Sequence, residues 1–202
     1  MTMNMTSPTT LLGFVQPRSN SARYATNLAI VVLGSLFIAA CAKINVPVWP
    51  VPVTLQSFAI AGVAAAFGMR LGVATVALYL TQGMMGLPVF ATGGGLAYVT
   101  GPTGGFLLGF LAMAAIIGWA ADRGTSKRPL AMFGAMLVGD AVLMVFGFAW
   151  LLALSGQAGW INQGDVIGSA FRGAIQPFLV WDVLKMALAA VTLAGVWKVS
   201  RR

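Results

Sequence analysis

Histidine and glutamate are both absent from this 202-residue sequence, cysteine occurs once, and the four acidic residues are all aspartates. Without imidazole, the commonest metal ligand and neutral-pH proton shuttle is missing. Four scattered carboxylates supply neither a nucleophile–base pair nor a metal cluster, so no catalytic residue, metal or cofactor is expected. The lone thiol, Cys41, cannot form an internal disulfide and lies in an apolar run, where a packing role is expected. The glycines of GPTGG at 101–105 lack the lysine and hydroxyl of a P-loop, so the chain is not expected to hydrolyse ATP itself.

Charge is scarce as well. Charged residues make up 8% of the chain, against about a quarter in a typical soluble domain. A hydrophobic fraction of 59% and a mean hydropathy of +0.89 point to a bilayer as the solvent. The net charge of +8 does not indicate nucleic acid, because the basic residues sit in connections between apolar runs. No polar module is present to offer them to a phosphate backbone.

The apolar runs come next. Residues 1–22 are polar, contain Pro8 and Pro17, and lack the apolar core of a signal peptide, so they read as a cytoplasmic tail ahead of a membrane domain at 23–202. At about 20 apolar residues per crossing, six spans are expected: 24–44, 54–69, 71–86, 106–121, 130–154 and 174–197. The second and third are short and meet at Arg70, which leaves room only for a tight hairpin. This is an all-α integral membrane protein, a compact bundle of six transmembrane helices.

Three longer connections alternate with short ones. NVPVWPVPVTLQ, after the first span, holds three prolines within six residues and must be a structured loop. Residues 87–105 are rich in glycine and carry no charge, a composition that suits a lid. Residues 155–172 are polar. With six spans, Arg18, Arg23, Arg70, Arg123, Lys127, Arg128, Lys198, Arg201 and Arg202 share one side, and only Lys43 and Arg172 lie on the other. The positive-inside rule then puts both termini in the cytoplasm and the elaborated loops outside. Sites sit on loops held by a rigid scaffold, so a binding site should open outward.

Ionisable groups inside spans are expensive and therefore informative, at roughly 2.5–3.5 kcal/mol each on insertion scales. Asp182 and Lys185 fall in the last span, three positions apart and about 60° apart in direction, so they share a helix face. They form either an ion pair that locks the helix to a neighbour or a pair that grips a ligand carrying both donors and acceptors, such as a ureido group. Asp140, in the fifth span, is either a polar packing contact or a proton-linked group. The small pairs Ser35/Ala39 and Ala25/Ala29 allow a close helix approach, from within the bundle or from a separate subunit. Trp49, Tyr98, Trp150 and Trp160 lie in or near outer loops, as interfacial anchors or as surfaces on which a ligand stacks.

Three segments, VPVWPVPVTLQ, GLPVFATGGGLAYVTGPTGGFLLGF and PFLVWDVLK, resemble the BioY family, the biotin-specific S components of energy-coupling-factor transporters. The likeness runs from about Ser35 to Ala189. It implies a six-helix bundle in the bacterial cell membrane with an outward pocket roofed by the first, third and fifth loops. It also implies biotin as substrate, and a coupling protein with two ATPase subunits as partners, alongside the surrounding membrane lipid. Asp182 and Lys185 match the family's last-helix motif. The full candidate ligand-binding set is Asp182, Lys185, Thr54, Gln56, Tyr98, Thr92 and Asp140. Two other readings stay open, a solitary importer driven by an ion gradient and a structural or channel protein whose buried charges only fix packing.

Overall fold

The computed structural model of the protein describes residues 10–14, 16–17, 19–156, 159 and 161–200. Residues 1–9 of the tail, Arg18, Trp160, Arg201 and Arg202 lie outside these described residues. The chain is built from helices α1 (Asn20–Lys43), α2 (Gln56–Met84), α3 (Leu96–Thr100), α4 (Gly104–Asp122), α5 (Pro129–Ala153), α6 (Val166–Ala174) and α7 (Leu179–Ser200). Between α1 and α2 a two-residue hairpin pairs β1 (Asn45–Val46) with β2 (Val53–Thr54), Asn45 opposite Thr54 and Val46 opposite Val53. The proline-rich loop is thus pinned at its base, and its Trp49–Pro50 peptide is cis.

Among the described residues, five helical stretches are long and apolar enough to cross a membrane. One of them, α2, is two crossings in hydrogen-bonded continuity. Gly68 has φ 79° and ψ 177°, a conformation open essentially to glycine alone, and the helix breaks there. The arms 56–67 and 69–84 fold back on each other, so that a Cβ on Gly72 would stand 2.9 Å from the Ala64 Cα. Asp122, the last residue of α4, accepts a hydrogen bond from the Met69 N–H at 3.1 Å. That satisfies one of the donors a new helix start leaves open. The tight hairpin expected at Arg70 is therefore present, and the bundle has six crossing segments: α1, the two arms, α4, α5 and α7.

The interior is filled by Ile38, Ile60, Val76, Met113, Ile117, Met136, Leu151 and Met186, all fully buried. The outward faces of α1, α5 and α7 expose Leu28, Leu33, Val145, Val191 and Val199. In water so large an apolar skin would aggregate, whereas in a bilayer it meets solvent of its own kind. Phe14 packs edge-on against Trp197 with ring centroids 5.4 Å apart, and the Lys127 ammonium lies 5.5 Å from the centre of the Trp197 ring. The segment before the first crossing and the end of the last crossing thus meet on the side that carries the basic turns, as an even number of crossings requires.

Several boundaries differ from the expected ones. Helix α1 begins at Asn20, ahead of the first span expected from Tyr24, and Leu11–Phe14 forms a 3-10 turn with Leu12 buried. The last crossing starts at Leu179 rather than 174, because the polar loop before it contains α6. Asp165 starts that helix, its carboxylate accepting from the Gly168 N–H at 3.0 Å. Ser35 is fully buried and its hydroxyl donates to the Val32 carbonyl at 2.8 Å, while the adjacent Gly34 backs onto Thr75. The Ser35/Ala39 pair therefore serves packing within the bundle, and of the two small pairs Ala25/Ala29 is the one exposed on the outer face of α1.

Candidate ligand-binding site

At the outer end of the bundle, a cavity of about 490 Å³, counted to its open mouth, lies under the proline loop and the glycine loop. Its walls differ in chemistry. Phe106, Phe110, Leu143, Met144 and Phe178 form an apolar side, and Thr54, Gln56, Ser57, Asp182 and Lys185 gather on the other.

The polar side is a connected network. Asp182 lies in the first turn of α7, where the helix dipole favours an anion, and is 2% exposed. Lys185, one turn on, forms a direct ion pair with it. The Ser57 hydroxyl donates to Asp182 Oδ1 at 3.2 Å, and the Lys185 ammonium donates to the Thr54 carbonyl at 2.9 Å. Thr54 Oγ1 donates to Gln56 Oε1 at 2.9 Å, and Gln56 Nε2 donates to the Tyr79 hydroxyl at 2.7 Å. The Tyr79 hydroxyl donates onward to the Val89 carbonyl at 3.4 Å. A single chain of contacts thus runs from α7 through the base of the proline loop to the glycine loop.

The glycine loop supplies the aromatic part of the roof. Phe90 is 1% exposed, stacks on Tyr98 with centroids 4.9 Å apart, and meets Tyr79 edge-on at 5.5 Å. Its carbonyl accepts from the Lys43 ammonium at 2.6 Å, which ties the end of α1 to the loop. From the other side, Trp150 Nε1 donates to the Gly101 carbonyl at 2.9 Å. Further out, Arg172 pairs with Asp165 at 2.9 Å. The hydrogen bond from Arg172, with help from the Gly168 N–H, holds the Asp165 carboxyl below the usual carboxylate range.

Of the seven residues expected from sequence, Asp182, Lys185, Thr54, Gln56 and Tyr98 line one cavity. Thr92 does not, being exposed on the far side of the loop. Asp140 does not line it either: it is 7% exposed on α5, within electrostatic reach of Asp182 and Lys185, and its Oδ1 has no hydrogen-bond partner among the described residues. Trp49 is 75% exposed, and Trp150 serves the loop backbone rather than the cavity. Of the expected aromatic residues only Tyr98 lines the cavity among the described residues, joined there by Phe90, Phe106, Phe110 and Phe178. Phe106 and Phe110, four apart on α4, share one helix face, and that spacing and the place of Phe178 inside PFLVWDVLK are the signals that could have found them. Ser57 and Tyr79 carried no comparable signal. Among the described residues no three His, Cys, Asp or Glu side chains converge on a possible metal position.

Comparison with known proteins decides the family. The model of the BioY family matches residues 9–202. The chain belongs to the BioY family. It is 34% identical over 172 residues to "Biotin transporter BioY2" of Lactococcus lactis subsp. cremoris, covering 84% of this chain and 88% of that one. It is also 34% identical over 164 residues to "Biotin transporter BioY" of Thermotoga maritima, covering 81% and 86%. A solved S-component for biotin from an ECF-type ABC transporter superposes with a TM-score of 0.75 over 90% of this chain and 95% of that one, at 22% identity. That last likeness speaks to the fold, a multi-pass helical bundle of the cell membrane.

Proposed function

We propose that this BioY-family chain is the membrane subunit that captures biotin at the outer face of the cell and delivers it for import. The observation that carries the reading is the two-sided cavity. Biotin has a ureido ring with two N–H donors and a carbonyl acceptor, a thioether ring and an aliphatic tail ending in a carboxylate. The Asp182 carboxylate is an acceptor for the ureido N–H groups, and the Lys185 ammonium is a donor for the ureido oxygen. Phe106, Phe110 and Phe178 offer aromatic faces and edges to the sulfur and the methylenes. The relatives named as biotin transporters and the biotin S-component with the same fold support the same substrate.

The S-component likeness also supports a division of labour. This chain supplies specificity, and a membrane coupling protein with two ATPases supplies energy. A specific observation favours a second reading, in which the chain works alone on an ion gradient: the buried Asp140 keeps one oxygen unpartnered next to the Asp182–Lys185 pair. Titrating biotin into the purified, detergent-solubilised chain tests capture, with saturable one-site binding expected and no binding overturning the proposal. Uptake into liposomes that hold only this chain separates the two energy sources. Ion-driven accumulation there would remove the ATPase partners from the proposal.

A further inference from the structure

We infer that Lys43 forms a second subsite, at the cavity mouth, that recognises the carboxylate of the captured ligand. The inference rests on the biotin reading and begins with the balance of charge. Asp182 and Lys185 neutralise each other, and Lys185 also gives a hydrogen bond to the Thr54 carbonyl. A ligand that brings its own carboxylate next to this pair adds one negative charge with nothing to offset it. In a site of low dielectric such a charge needs a cation or a set of N–H donors.

On the outer side the described cations are Lys43 and Arg172. Arg172 is already paired with Asp165 at 2.9 Å and also donates to Ser169 at 3.4 Å. Lys43 has no acidic partner among the described residues. Its ammonium carries three donors, and the structure gives it one acceptor, the Phe90 carbonyl at 2.6 Å.

The placement suits the task. Lys43 ends α1, two residues before Asn45, which pairs with Thr54 across the hairpin. Phe90, whose carbonyl it holds, lines the cavity together with Ala91 and Tyr98. Two lysines thus grip two backbone carbonyls of the same cavity wall. Lys185 holds that of Thr54 beside the buried pair, and Lys43, exposed and just outside the cavity lining, holds that of Phe90. A ligand anchored at Asp182 and Lys185 by its ring directs its tail toward the rim. There the Lys43 ammonium, on its flexible four-carbon stem, turns from a neutral carbonyl to a carboxylate, the stronger acceptor. Lys43 is thus a specificity determinant for acids over neutral analogues, and its bond to the Phe90 carbonyl holds the ammonium against that wall.

The test compares biotin with biotin methyl ester, which keeps the ring and tail and lacks the charge, by calorimetric titration of monodisperse protein. The unmodified chain is expected to prefer biotin by at least about tenfold. Lys43→Met should lose most of that preference, its affinity for biotin falling about tenfold or more and that for the ester by less than about threefold. Lys43→Arg should keep the preference. Equal losses for acid and ester in Lys43→Met would overturn the subsite and reduce Lys43 to a brace for the glycine loop. Equal binding of acid and ester by the unmodified chain would overturn it without any mutant. If the unmodified chain binds neither compound, biotin capture itself fails and the subsite with it.

Discussion

Lys185 and Thr54 stand 131 residues apart in the sequence, yet the Lys185 ammonium donates to the Thr54 carbonyl at 2.9 Å. The contact closes the cavity by fastening the proline loop to the last helix. It also means that the Asp182–Lys185 pair is not an isolated ion pair between two turns of one helix. Each charge has a further partner on another element, Ser57 for Asp182 and Thr54 for Lys185. Such cross-bracing is what a desolvated pair needs to remain charged.

The first prediction concerns that pair. Asp182→Asn keeps the volume but gives Lys185 a neutral neighbour, and Lys185→Met removes the donor while keeping the stem. Each should weaken biotin binding by about 1.5–3 kcal/mol, the worth of a hydrogen bond to a charged group, or roughly ten- to a hundredfold in Kd. Because both residues serve one ligand group, the double variant should lose clearly less than the sum of the singles. Calorimetry on folded variants decides it. Unchanged affinity in both singles would leave the pair as a packing lock alone.

Tyr79 gives a second prediction. Its hydroxyl is the joint between Gln56 on the cavity wall and the Val89 carbonyl of the glycine loop. Tyr79→Phe preserves the edge-on contact with Phe90 and leaves the buried Gln56 N–H without an acceptor, at a cost of about 1–3 kcal/mol. A lower unfolding temperature and a weaker biotin affinity should appear together. They should be joined by faster labelling of a cysteine placed at exposed Thr92, which reports loosening of the loop. Wild-type labelling with reduced stability would confine Tyr79 to the core.

The break in α2 gives a third. Alanine at Gly68 must adopt a glycine-only conformation, at about 1–3 kcal/mol, and its Cβ would collide with Asp122 Oδ1. Gly68→Ala should therefore lower thermal stability by more than the backbone strain alone. In an Asp122→Ala background, which has lost the cap on Met69 but also the clash, the further loss should be smaller. Fluorescence-monitored melting of the four proteins measures both effects. Strict additivity would show that the two residues do not share the turn.

Much of this arrangement was legible in the residues, and what was missed has a physical reason. The number of crossings followed from apolar runs and basic turns, because the bilayer imposes both a length and a charge bias. Asp182 and Lys185 stood out because charge inside an apolar run is costly. Helix α6 was hidden because nine residues in a polar loop resemble the loop itself, and only the Asp165 cap and Arg172 mark it. Tyr79 could not be singled out, since a tyrosine in a long apolar helix looks the same whether it meets headgroups or a buried glutamine. Thr92 looked like the polar residue of the roof, but the turn at Phe90 and Gly93 directs it outward. Ser35 and Ala39 had the spacing of a docking face, and spacing cannot say which neighbour is docked.

The last prediction fixes the direction of the site. The described basic residues Arg70, Arg123, Lys127, Arg128 and Lys198 share the end where Phe14 meets Trp197. The cavity opens at the other end, beneath the proline loop. By the positive-inside rule the termini face the cytoplasm and residues 45–52 face outward. Trp49 is 75% exposed at the tip of that loop and Cys41 is 4% exposed, so Trp49→Cys on a Cys41→Ala background offers one accessible thiol. A membrane-impermeant maleimide applied to intact cells should label it, and biotin added first should slow the reaction if the loop closes over the ligand. A cysteine at exposed Arg128 should react only after the cells are opened. The reverse pattern would turn the cavity toward the cytoplasm, and capture from outside would then be untenable whatever the affinity for biotin.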